Sequence, residues 1–242
     1  MKYAIISDIH GNLEAFQEVL KEIKSLRGID KVICLGDIVG YGADPKRCID
    51  LSRGNSDIII AGNHDYAACG KTDVGYFNPV AREAAIWTGE VLNIEYINFL
   101  KELPLLAELD DIHFAHGSLY KPEEWRYILS EKQSHIDFQI MKHNILFIGH
   151  SHVPVIFENK KDEIRIITEY EIELDKNSKY IINPGSIGQP RDFDPRASFA
   201  IYDSDKRHLK VIRLEYNIIE AQRKIREAGL PEILAERLSY GR

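Results

Sequence analysis

The chain has 242 residues, 44% hydrophobic and 29% charged, with a net charge of −7. That length holds one large domain with a full core, and the acidic balance argues against a long polyanion such as DNA as the main ligand. A small phosphate ester stays open, because bound divalent cations reverse the sign locally.

Tyr3 to Ser7 reads as a buried strand. Asn12 then caps a helix whose apolar residues Leu13, Phe16, Val19, Leu20 and Ile23 recur at helical spacing. A strand over Lys31–Leu35, a short helix over Pro45–Leu51 and a strand over Asp57–Ala61 follow. This β-α-β-α-β order predicts a parallel sheet with helices packed on it. Asn78-Pro79 marks a helix start running to about Leu92, and a second helix from about Glu95 is stopped by Pro104.

The second half is richer in strands: Leu105–Leu109, Ile112–Ala115, Ile145–Ile148, Val153–Phe157, Ile164–Leu174 and Tyr180–Ile182. Ser198–Tyr202 and His208–Tyr216 flank a polar turn and predict an antiparallel hairpin. Two tail helices are broken at Gly229, with Pro231 restarting the second. A parallel half followed by a strand-rich half predicts an α/β fold of two stacked mixed sheets with helices outside, in one domain over 1–242.

The N-terminal apolar run is too short for a signal peptide. No stretch approaches the ~18–20 apolar residues of a membrane helix. Cys34, Cys48 and Cys69 are scattered, without the close pairing of a zinc knuckle. A reduced cytoplasmic setting, with the cysteines as neutral core residues, is the expectation.

Five apolar runs end in chemically distinctive residues. The endings are Asp8-Ile9-His10, Gly36-Asp37, Gly62-Asn63-His64-Asp65, His116-Gly117 and Gly149-His150-Ser151-His152. Five of the nine histidines fall there. Alone, Gly-Asp and Gly-Asn are ordinary turn pairs. Together, each beyond the carboxyl end of a strand where α/β sheets form their sites, they converge on one pocket. Mixed carboxylate and imidazole donors suit Mn, Fe, Zn, Co or Ni better than Mg. Two cations ~3.5–4 Å apart need an anionic bridge, which an aspartate supplies.

The series of five motifs resembles the calcineurin-like metallophosphoesterase superfamily, of the small prokaryotic phosphodiesterase type. Asn183-Pro184-Gly185-Ser186-Ile187-Gly188-Gln189-Pro190-Arg191 extends the likeness. The resemblance implies a four-layer α/β/β/α sandwich and a dinuclear centre with a metal-bound hydroxide as nucleophile. By the resemblance, Asp8, His10 and His152 hold one metal, Asn63, His116 and His150 the other, and Asp37 bridges them. His64 matches the catalytic histidine that contacts the scissile phosphate and protonates the leaving oxygen, help worth ~10²–10⁴-fold. Manganese is the expected metal, with Fe, Zn, Ni or Co as substitutes.

Other residues carry two readings. Asp65 either orients His64 or faces water. Arg191 binds a substrate phosphate through its planar fork or is a surface residue. Asn12 reaches the substrate or only caps its helix, and Phe77 and Asn78 line a wall or form a staple and cap. His113, His135, His143 and His208 are read as structural or exposed.

One departure narrows the function. Protein Ser/Thr phosphatases of the superfamily carry Gly-Asp-x-x-Asp-Arg-Gly at the second motif, where this chain has Gly36-Asp37-Ile38-Val39-Gly40-Tyr41-Gly42. The missing aspartate and arginine favour a small phosphate-ester or nucleotide substrate over a phosphoprotein, and remove the catalytic histidine's carboxylate partner. Dinucleoside polyphosphate hydrolysis is the nearest rival. A DNA nuclease lacks support in the charge, and a non-catalytic scaffold conflicts with the presence of both His10 and His64.

Overall fold

Strand β1 (Lys2–Ile6) divides its side chains between two cores. Tyr3 and Ile5 point to one side, Ala4 and Ile6 to the other, as the two-residue period of a strand requires. Both faces are covered, so the strand reads as a continuous apolar run. The computed structural model describes residues 1–242.

The first sheet adds β2 (Lys31–Cys34) and β3 (Ile58–Ile59) parallel to β1. On the other side of β1, β11 (Ala197–Asp203), β12 (His208–Leu214) and β9 (Glu171–Glu173) run antiparallel to their neighbours, giving the order β3-β2-β1-β11-β12-β9. The second sheet contains β4 (Leu106–Leu109), β5 (Ile112–Ala115), β6 (Ile145–Phe147), β7 (Val155–Lys160), β8 (Glu163–Ile167) and β10 (Lys179–Asn183), in the order β4-β5-β6-β10-β7-β8. Strands β5, β6 and β10 are parallel.

Tyr3, Ile5, Ile33, Phe114, Phe147 and Ile182 meet between the sheets. Outside the first sheet, α1 (Leu13–Ser25) presses Phe16, Val19, Leu20 and Ile23 onto Ala4, Ile6 and Phe199. Each such side chain contributes ~1.5–3 kcal/mol by leaving water. Helices α2 (Pro45–Asn55) and α5 (Ile94–Glu102) share that layer. Outside the second sheet, α6 (Glu131–Ile140) sets Phe138 against Leu146, Ile148 and Ile181. The result is the expected four-layer sandwich. Helices α4 (Pro79–Val91), α7 (Ile218–Glu227) and α8 (Glu232–Glu236) build a separate small core around Ala84, Ala221, Ile225 and Leu234. No helix is long and apolar enough to cross a membrane.

Two local expectations are corrected, and two helices come without a signal in the sequence. The strand expected over Ile164–Leu174 is two strands, β8 and β9, in different sheets; Thr168 to Tyr170 carry the chain from one edge to the other. The strand expected over Asp57–Ala61 pairs only at Ile58–Ile59; the Ile60 amide makes a last bond to Cys34 O on β2, and the Ala61 amide turns away to Pro104 O. Helices α3 (Asn63–Ala68) and α6 lack a legible apolar period: all six residues of α3 are buried, and two of the three buried residues of α6 are the polar Ser134 and Asp137.

Candidate metal centre

The five expected motifs meet at the carboxyl ends of β1, β2 and β3 in one sheet and of β5 and β6 in the other. Asp8, His10, Asp37, Asn63, His64, His116, His150 and His152 are all buried there. The turns are tight: Asp8, His10, Asp37, His150 and His152 sit at φ of 53°, 49°, 52°, 67° and 62°. That left-handed region costs an L-residue roughly 1–2 kcal/mol, though Asp and His enter it more readily than most. Backbone bonds hold the turns in place, from the Asp8 amide to Gly36 O (3.1 Å), from His10 to Asp37 O (2.9 Å) and from Gly188 to Asp8 O (2.9 Å). Gly62 is required beside them, because a side chain there would collide with the Asp37 carboxylate.

Three histidines have their tautomers set by backbone carbonyls. Nδ1–H of His10 donates to Val39 O (3.1 Å), that of His116 to Leu35 O (2.8 Å) and that of His152 to Gln189 O (2.6 Å). A carbonyl only accepts, so each ring in its neutral form turns its Nε2 lone pair toward the centre. His10 Nε2 and His152 Nε2 lie 3.0 Å apart. Two facing lone pairs at that distance repel unless a cation or proton lies between them. Asp37 Oδ2, Asn63 Oδ1, His116 Nε2 and His150 Nε2 are buried with no hydrogen-bond partner. These electron-pair donors fit a divalent cation.

Donor atoms of Asp8, His10, Asp37 and His152 fall within 4.8 Å of one another, as do those of Asp37, His116 and His150. Asp37 belongs to both groups. Its Oδ1 accepts the His64 amide at 2.8 Å, while Oδ2 lies 3.5 Å from His10 Nε2 and 3.3 Å from His116 Nε2. Asp8 is oriented by the Ser7 hydroxyl (2.6 Å) and the His150 amide (3.1 Å).

Electrostatics separate the histidines. Burial raises the Asp8 and Asp37 carboxyls, but neighbouring imidazoles, His152 for Asp8 and His116 for Asp37, outweigh it and hold both below the usual range. Burial lowers His116, yet Asp37 reverses that and lifts it to about 9. Burial drives His10 well down, and takes His150 to about 3 and His64 to about 4.

His64 is packed by rings rather than held by a carboxylate. Tyr41, Phe77 and His10 lie at 4.4, 5.0 and 5.0 Å between ring centroids, and His64 Nδ1 is buried without a partner. Gly40 occupies the adjoining loop at φ +92°, where a Cβ would approach His64 Nδ1 to 2.6 Å. Asp65 neither orients His64 nor faces water. Fully buried, its carboxylate accepts the amides of Ile38, Val39 and Gly62 at 2.9–3.2 Å, tying the Asp37 loop to α3.

Asn12 is a cap. Its Oδ1 accepts the Ala15 amide (3.1 Å) and its Nδ2 donates to Gly188 O (2.9 Å), so both ends of the amide are spent on backbone and the substrate-contact reading loses its basis. Arg191 is half-buried at the site, with its guanidinium 5.7 Å from the Tyr41 ring centre. Asn78 caps α4 through the Ala81 amide (3.0 Å), and Phe77 packs on His64.

A cleft of about 620 Å³ opens over His64 and His150, walled by Tyr41, Phe77, Trp125 and Tyr127. The Tyr127 ring stacks on His150 at 3.9 Å. Sequence reading missed Tyr127 and Trp125, which lie in an irregular segment with no period to mark them.

Residues 1–207 match the calcineurin-like phosphoesterase superfamily domain. The chain belongs to that superfamily and is a phosphoesterase of the calcineurin-like class, whose members use divalent metal ions. Uncharacterized protein MJ0912 of Methanocaldococcus jannaschii is 43% identical over 243 residues, covering 99% of this chain and 98% of that protein. The crystal structure of a metallophosphoesterase from Sphaerobacter thermophilus superposes with a TM-score of 0.87 at 38% identity, covering 100% of this chain and 99% of the other. Phosphodiesterase YfcE of Escherichia coli is 26% identical over 229 residues, covering 92% of this chain and 97% of its own.

Proposed function

We propose that the protein hydrolyses small phosphate esters, diesters or monoesters, on a dinuclear centre. The observation that carries this reading is the set of buried, partnerless donor atoms around Asp37, with the His10 and His152 Nε2 atoms 3.0 Å apart. Asp8, His10 and His152 would hold one cation and Asn63, His116 and His150 the other, with Asp37 between. Cations held there would supply positive charge to the phosphoryl oxygens and bring the pKa of water toward neutrality.

The chain's own residues do the rest. The carbonyls of Val39, Leu35 and Gln189 fix three imidazole planes, so the centre needs little rearrangement on loading. His64, held neutral at pH 7 by burial, gives a single N–H to a phosphoryl or leaving oxygen. Arg191 offers its fork to a substrate oxygen. The aromatic cleft falls within the ~300–1,000 Å³ of small-molecule sites, which supports a small ester over a folded protein. YfcE's description as a phosphodiesterase supports a diester as the first substrate to try. Manganese in a reducing cytoplasm suits a site of this donor type beside three buried free cysteines, and one domain over 1–242 completes the reading.

The test strips metal with a chelator and reloads Mn, Zn, Co, Ni, Fe or Mg. Each form is assayed with bis(p-nitrophenyl) phosphate, p-nitrophenyl phosphate and a dinucleoside tetraphosphate, with metal counted by elemental analysis. Two bound equivalents and diester turnover are expected. A chain that binds no more than one equivalent and cleaves none of the three esters with any metal is not this enzyme.

A further inference from the structure

Two arginines converge beside the centre without an anion to meet them. Arg191 follows the Gly188-Gln189 turn, and its amide donates to His152 O (3.2 Å). Arg237 comes from the far end of the chain, at the turn Arg237–Ser239 after α8, outside the 1–207 family match. That turn is fastened to the Arg191 loop by the Phe193 amide donating to Gly241 O (2.8 Å), and to α7 by Gln222, which donates to Ala235 O (2.9 Å) and Ser239 Oγ (2.8 Å).

Both guanidinia share one acceptor. Gln189 Oε1 takes Arg191 at 2.8 Å and Arg237 at 3.4 Å, and Arg191 also reaches the Tyr41 hydroxyl at 3.4 Å. The Nε atoms of both are buried with no partner. Neither forms an ion pair, whereas Arg213, whose side chain is buried nearby, is matched by Asp192. Burial and the Arg191 charge lower Arg237. Two unneutralised like charges facing one another in a half-buried site are costly unless something anionic joins them.

The geometry points to a second anion subsite made by Arg191 and Arg237, which selects phosphoesters carrying a further, non-scissile phosphate. A phosphate matches the planar forks, giving each orphaned Nε an acceptor while Gln189 Oε1 and the Tyr41 hydroxyl remain as neighbours. Tyr41 also packs on His10 at 4.6 Å and on His64 at 4.4 Å, so the subsite adjoins the centre. The inference deepens the phosphoester reading and rests on it for the scissile group. The C-terminal segment thereby becomes a specificity element added to the family domain.

The subsite is tested first without metal or turnover. Calorimetry measures inorganic phosphate binding to the metal-free chain, wild type against Arg237→Met and Arg237→Lys, with thermal melting to confirm that each variant is folded. Wild type should bind at ~1 mM or better, Arg237→Met about tenfold or more weakly, and Arg237→Lys between them. Equal affinity in wild type and Arg237→Met overturns the subsite, as does failure of wild type to bind.

In the loaded enzyme, the p-nitrophenyl ester of thymidine 5′-phosphate is compared with the same ester bearing a 3′-phosphate. The kcat/KM for the 3′-phosphorylated ester relative to that for the plain ester should fall about tenfold in Arg237→Met. A loss equal for both substrates means that Arg237 only supports the fold, and overturns the proposal. If wild type cleaves no ester while phosphate binding still depends on Arg237, the hydrolase reading fails and the anion subsite stands.

Discussion

Two clusters of histidine and carboxylate occupy opposite ends of the sheets, and they differ in where their lone pairs go. At the carboxyl ends, His10, His116 and His152 donate Nδ1–H to carbonyls, which leaves three Nε2 atoms facing inward. At the amino ends of β5 and β6, Glu108, His113 and His143 also bring donor atoms within 4.8 Å of one another. There His113 Nε2 accepts the amides of Lys142 (3.1 Å) and His143 (3.2 Å), so its proton is on Nδ1, 3.1 Å from Glu108 Oε1. A ring already using both nitrogens has no pair for a metal. Donor types and donor-atom separations are alike in the two places; the backbone partners decide the chemistry.

The sharpest way to break this comparison is Asp37→Ala. Asp37 is the only residue shared by both donor groups at the carboxyl end. Its removal should lower diester turnover by ~10³-fold or more and lose at least one metal equivalent. A variant with full metal content and near-normal turnover would remove the basis for a dinuclear centre. His64→Ala comes next. Turnover should fall ~10²–10⁴-fold with metal content retained, because the His64 side chain belongs to neither donor group. Loss of metal in parallel with activity would make His64 a ligand instead.

Much of the carboxyl-end cluster was legible in sequence, and for a physical reason. Strands covered on both faces are near-continuous apolar runs, so Asp8, Asp37, His116 and His150 stand out at their ends. The four-layer fold followed from the same runs and their order. What stayed hidden depends on partners distant in sequence. Asp65 could not be placed, because the amides it accepts at Ile38 and Val39 belong to another loop. Asn12 offered two roles until Gly188, 176 residues away, took its Nδ2. Arg237 carries no motif, and only the folding of α8 against the Arg191 loop makes it notable. The five left-handed backbones leave no mark in sequence beyond a mild preference of Asp and His for that region.

The proton inventory gives a smaller and more specific effect. Among the inward-facing histidines, burial keeps His10, His150 and His152 neutral at pH 7, whereas Asp37 lifts His116 to about 9. Below that value a cation must displace the His116 proton, so affinity should rise by up to tenfold per pH unit from 7 toward 9. About one proton should be released per protein on loading at pH 7, measured by calorimetry in buffers of different ionisation enthalpy. Loading without proton release would put His116 among the neutral rings.

The mildest test acts on the other cluster. His113→Ala should leave metal content and kcat/KM as they are, since its ring faces neither cleft nor centre. It should cost ~1–3 kcal/mol of stability, because the Lys142 and His143 amides lose their acceptor. Burial holds His113 below its ordinary value of 6.5, against the pull of Glu108. The neutral ring is therefore the stabilising form: its contribution is complete above pH 6.5 and declines as pH falls through the lower folded-state value. Chelator-treated wild type should consequently lose stability below pH 6.5 more steeply than chelator-treated His113→Ala, read from denaturant midpoints at several pH values. If His113→Ala instead lost a bound metal equivalent, both clusters would be cation sites, and the backbone partners would not be what tells them apart.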